Sequence, residues 1–133
     1  MLRAGADYYS DEFAVIDERG RVHPFSKPLS IKDGRRGAIT KSAPEALGAL
    51  SGSKPLPVGL VAFARYRPGA RWRPTRLTPG QGLLALLAHT APVRRRPEAS
   101  LAALGRAVSP ALILKGVRGE AEQTVPSLLN RLN

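Results

Sequence analysis

Apolar residues in this chain come in short runs that end within a few positions at proline, glycine or charge. The longest, such as Gly82 to Ala88, fall far short of the ~20 residues a membrane-spanning helix requires. Pro24 and Pro28 each remove a ladder donor and confine their segment to a sheet edge or an irregular extended run. With 13 glycines and 12 prolines among 133 residues loops are numerous, yet 43% hydrophobic content is near the globular average and argues against disorder throughout. The expectation is a single domain over residues 1–133, with one core and short elements.

The runs read as alternating strand and helix signals. Asp7 to Ser10, Phe13 to Ile16 and Val22 to Phe25 are expected as strands, the middle one central because it is apolar on successive residues. Ser42-Ala43-Pro44-Glu45 has the spacing of a capping box and predicts a short helix, stopped by Gly48, Gly52 and Pro55. Val58 to Phe63 reads as a buried strand. Arg65 to Trp72 follows with Pro68-Gly69 at the turn, and Trp72 opens a return strand toward Leu77, which reads as a hairpin. Thr78-Pro79-Gly80-Gln81 starts an apolar helix ending near His89, and Glu98 to Val108 shows one amphipathic helical face through Leu101, Leu104 and Val108. Ala111 to Leu114 is expected as a strand, Gly116 to Gly119 as a turn, and Glu120 to Leu132 as a closing helix whose early acids and late Arg131 suit the helix dipole. The class is mixed α/β, a sheet covered by helices with a β-hairpin and C-terminal helices.

Chemistry is narrowed mainly by what the sequence lacks. There is no cysteine, hence no disulfide, thiol nucleophile or cysteine metal cage, and the cytoplasm is the default compartment. Met1-Leu2-Arg3 meets Asp7 before an apolar signal region could form. His23 and His89 have no second ligand at zinc-binding spacing, and neither a G-x-S-x-G elbow nor a G-x-x-x-x-G-K-[ST] loop occurs. The formal net charge of +11 suits a polyanionic partner, although a solvated arginine-rich surface would give the same number.

Against that charge, the adjacent Asp11 and Glu12 invite two readings. Two acids at a strand end can hold hydrated Mg²⁺, or one can bind metal while the other takes a hydroxyl proton in phosphoryl transfer. Neighbouring residues on a strand face opposite ways, so a shared site needs the backbone to turn there. The plainer reading is a surface pair neutralised by basic neighbours.

The segment "RAGADYYSDEFAVIDERGRVHPFSKPLSIKDG", Arg3 to Gly34, resembles the region after the Walker A loop in relatives of the HPr kinase/phosphorylase catalytic domain. It resembles especially the serine-kinase-like proteins of peptide-modification gene clusters. "GLVAFARYRPGARWRPTRLTPGQGLLALLAHT" is similar to that family's strand, hairpin and apolar helix, and "ALILKGVRGEAEQTVPSLL" to its last strand and helix. The resemblance covers most of the chain, with its specific motifs in SDE and PLS, here Asp11-Glu12 and Pro28-Leu29-Ser30. It implies a partial P-loop, HPr-kinase-like domain using Mg²⁺ and ATP. In it Asp11 is the metal-linked catalytic acid or base, Glu12 supports the metal, and Lys27 and Lys32 face the phosphates. The substrate would be a protein or peptide bearing an acceptor serine. Met1-Leu2-Arg3 falls where the family's P-loop helix finishes, so the expectation is a C-terminal portion without kinase turnover on its own. Self-association, or another chain supplying the missing P-loop layer, is then expected.

Two alternatives stay open. A basic binding module would use Arg65, Arg67, Arg71 and Arg73, interleaved with Tyr66 and Trp72, to hold a nucleic-acid backbone and stack a base. A non-catalytic regulatory remnant would dock on a kinase paralogue.

Overall fold

A computed structural model describes residues 1–25, 27–32 and 39–131, the side chain of Lys32 excepted. The chain is mixed α/β, with three small sheets and three α-helices among the described residues. In chain order these are β1 (Val15–Ile16), β2 (Arg21–His23), β3 (Leu29–Lys32), β4 (Ile39–Ser42), β5 (Leu56–Pro57), β6 (Leu60–Tyr66), β7 (Thr75–Arg76), α1 (Pro79–Leu87), α2 (Pro97–Val108), β8 (Leu112–Arg118) and α3 (Ala121–Leu129). Two compact units emerge: residues 1–15 with 22–56, and residues 16–21 with 57–133. One three-stranded sheet has the order β1-β2-β5.

In the first unit the tyrosine pair does the organising. Tyr8 is 3% exposed; its N–H donates to the Leu50 carbonyl, its carbonyl accepts from the Gly52 N–H, and its hydroxyl donates to the Lys27 carbonyl. Tyr9 holds the Phe25 N–H on its own carbonyl at 2.7 Å and donates its hydroxyl to the Lys54 carbonyl at 2.8 Å. Gly52 is required beside it, since a Cβ there would come within 2.0 Å of the Tyr9 ring. The expected strand from Asp7 to Ser10 is therefore reduced to one bridge, Tyr8 to Ser51. β3 and β4 pair antiparallel, from Leu29 opposite Ser42 to Lys32 opposite Ile39. The basic loop read over Asp33 to Gly37 lies outside the described residues.

In the second unit β8 runs between β6 and β7, parallel to β6 and antiparallel to β7. Its Ile113 and Leu114 are 1% and 2% exposed, and α2 adds the buried Leu104, Ala107 and Val108. α1 opens with the capping box read from the sequence: the Gln81 N–H donates to Thr78 Oγ1 and the Thr78 N–H donates to Gln81 Oε1. Gly82 brings α1 onto β8, for a Cβ there would meet Ile113 Cδ1 at 2.4 Å. The turn Asp17 to Gly20 seats on α2, where Arg106 donates to the Glu18 carbonyl at 2.8 Å.

Several sequence expectations are corrected. Phe13 to Ile16 is not a central strand: β1 has two residues at a sheet edge, and Phe13 is 62% exposed. Ser42 ends β4 and donates its hydroxyl to the Ala43 carbonyl instead of capping, so Pro44–Leu47 is only a 3-10 turn. β8 continues through Gly116 to Arg118, where a turn was expected. Leu101 faces outward while Leu104 and Val108 are buried.

The expected hairpin does not form, because β7 pairs with β8 and not with β6. Arg67 to Ala70 does make a turn, with Pro68 at its second position and Gly69 at φ +70, but the turn is drawn across the end of β8. Arg67 N–H donates to the Arg118 carbonyl at 2.9 Å, and a Cβ at Gly119 would lie 2.1 Å from the Ala70 carbonyl oxygen. Only glycine admits that approach, and it carries the chain over to the far edge of β8.

Gly119→Ala should therefore destabilise the protein by about 1–3 kcal/mol in urea unfolding. Gly105→Ala, inside α2 with nothing within 4 Å of the added methyl, should stabilise it by about 0.4–1 kcal/mol.

Candidate functional site

The acid pair is tied by backbone geometry to the segment beginning at Lys27. Asp11 Oδ2 accepts the Ser30 N–H at 3.0 Å, and Glu12 Oε2 pairs with Lys27 Nζ at 3.0 Å. Tyr8, three residues before Asp11, holds the Lys27 carbonyl, so the same stretch that supplies the acids also fixes their partners. Both carboxylates are exposed, as is Lys27. The Glu12–Lys27 pair is open to water and contributes little to stability by itself. Lys32 ends β3, two residues beyond Ser30, and its side chain lies outside what is described.

Mg²⁺ takes one or two carboxylates and completes its octahedron with waters and phosphate oxygens. Asp11 and Glu12 fit that donor set, each with one oxygen that has no protein donor among the described residues. They do not form an all-protein cage: no group of three or more His, Cys, Asp or Glu residues gathers among the described residues.

The arginine stretch is arranged differently. In the parallel register Tyr66 stands opposite Arg118 and Arg65 opposite Val117, so alternation puts Tyr66 and Arg65 on opposite faces. The Arg118 guanidinium lies over the Tyr66 ring, 5.2 Å from its centre, and the Tyr66 hydroxyl donates to Glu120 Oε1 at 2.6 Å. That bond to a carboxylate, more than any burial, pushes the Tyr66 phenol above its ordinary pKa, because ionisation would set two negative charges together. Burial does the same for Tyr8, reinforced by the Asp11 charge. Arg65, Arg67, Arg71 and Arg73 are all exposed. Trp72 is half-buried: its ring packs on the Gly116 backbone, where a Cβ would meet it at 3.0 Å, and its indole N–H is buried without an acceptor among the described residues.

Tyr66, Arg118 and Glu120 form the constellation that the sequence reading missed. Tyr66 and Glu120 are 54 residues apart, and only the β6–β8 register joins them. Two recesses lie elsewhere in the second unit. One, of about 530 Å³, is lined by residues such as Gly59, Arg76, Thr78 and Pro110; the other, of about 510 Å³, runs from Leu87 to Arg94.

Both raised phenols make the folded chain hold protons that the unfolded chain releases above the ordinary tyrosine value of 10.0. Stability from this source is complete below that value and is lost as pH rises from it through the raised folded-state pKa. Unfolding free energy measured on either side of it should fall with pH, and the fall should shrink in Tyr8→Phe. No family model, curated protein or solved structure matches this chain.

Proposed function

We propose that this chain is the C-terminal portion of an ATP-dependent phosphotransferase of the HPr serine kinase type, with the acid pair as its acceptor-side chemistry. The observation that carries the reading is the joining of the SDE and PLS segments. The Asp11–Ser30 and Glu12–Lys27 contacts put the two most specific stretches of the resemblance into one exposed cluster.

In that cluster Asp11 takes the proton of the acceptor serine as the serine oxygen bonds the γ-phosphorus and the bond to the departing ADP oxygen breaks. Asp11 and Glu12 would hold Mg²⁺, whose charge, when bound, neutralises phosphate oxygens. Lys27, paired with Glu12, and Lys32 bring positive charge towards the phosphates. The backbone bond from Ser30 fixes the Asp11 carboxylate, so its geometry does not have to be found at each turnover. The 133 residues contain no G-x-x-x-x-G-K-[ST], so the cradle for ATP must come from other residues, in the same polypeptide or a partner's. Without it, most of the positioning and charge neutralisation on which phosphoryl transfer depends is missing.

The 133 residues with Mg-ATP and serine peptides should yield no phosphoserine. The DNA upstream of the Met1 codon should encode an in-frame Walker A pattern, and the longer product should phosphorylate serine at a rate that falls about 100-fold or more in Asp11→Asn. Turnover by the 133 residues alone, or an unchanged rate in Asp11→Asn of the longer product, would refute the assignment.

A further inference from the structure

Between Glu45 and Glu98 the chain carries no acidic residue, while Arg65, Arg67, Arg71, Arg73 and Arg76 fall within twelve positions of one another. None of these arginines is in an ion pair among the described residues. Their charge is thus uncompensated locally, and the Arg67 to Ala70 turn gathers part of it at the carboxyl end of the parallel β6–β8 pair. That end of a parallel sheet is where α/β folds commonly bind ligands.

Tyr66 sits at this end and remains 48% exposed. Its orientation is fixed twice, by the Arg118 guanidinium over the ring and by the hydroxyl bond to Glu120. A ring held this way loses little freedom when a flat partner stacks on its open part. Trp72, the larger aromatic, is already engaged with Gly116.

From this combination we propose that Tyr66, backed by Arg118 and Glu120, with Arg67 and Arg71 bounding the adjoining turn, is a stacking and phosphate-binding site for single-stranded nucleic acid. An acidic peptide would satisfy the arginines but offers nothing to stack on the ring, and a duplex keeps its bases from it. Arg67 and Arg71 contact the backbone phosphates while a base lies on Tyr66. This site stands independently of the phosphotransferase reading and shares no residue with it.

The probe is a fluorescein-labelled oligodeoxythymidylate of about 16 nucleotides, the upper end of the usual footprint of one small domain. Anisotropy with the full chain should show affinity that falls steeply with salt, and weaker binding to a duplex of the same length. Tyr66→Ala should weaken binding by about 5- to 100-fold, whereas Tyr66→Phe, which keeps the ring, should stay within about threefold. Arg67→Gln should lower the salt slope by about 0.7. Circular dichroism confirms that each variant is folded; if Tyr66→Ala is not, Tyr66→Leu takes its place. The proposal is overturned by equal affinity in the folded Tyr66→Ala or Tyr66→Leu variant, by equal binding to the duplex, by poly-glutamate displacing the oligonucleotide at matched charge, or by no binding at low salt.

Discussion

Placing β8 in the middle of its sheet is the constraint from which the second unit follows. Pairing on both edges satisfies its backbone, and the central position leaves both faces to be covered, so Ile113 and Leu114 are almost wholly removed from water, at about 1.5–3 kcal/mol for each side chain. It also fixes where α1 can lie, since Gly82 has to approach Ile113 without a side chain between them. And it requires the chain leaving β6 to cross the end of β8 before pairing again, which the bare backbone of Gly119 permits. Tyr66 and Arg118 meet because of this register, and Glu120 follows β8 closely enough to take the phenol.

In the first unit, directed hydrogen bonds take on much of the work that a large apolar core does elsewhere. Few side chains there are buried, and the Tyr8–Tyr9 pair bonds two backbone stretches, one at Phe25 and Lys27 and the other at Leu50, Gly52 and Lys54. Asp11 and Glu12 continue the same pattern a few residues later, on Ser30 and Lys27. The presence of two acids side by side in so basic a chain therefore has a structural cause. That cause is compatible with chemistry, because a carboxylate held by a backbone N–H on one oxygen still presents the other.

Much of the local structure was legible. The Thr78–Gln81 capping box and the Leu104–Val108 face are patterns a few residues long, each decided by bonds or contacts within the element itself. The same reasoning failed at Ser42, where an identical spacing was overridden because that residue pairs with Leu29 in a strand. It failed again at Phe13 to Ile16, since an apolar run does not state whether anything covers it.

The amino-acid order alone determined the mixed class, the start of α1, the surplus of arginine and the acid doublet, all properties of neighbours along the chain. Which strand pairs with which, that Trp72 is spent on Gly116 while Tyr66 stays open, and that Glu12 meets Lys27 were settled by contacts between residues far apart in sequence. Such contacts depend on which backbones can approach closely, and a glycine such as Gly119 reveals that role only when the carbonyl it admits is in place.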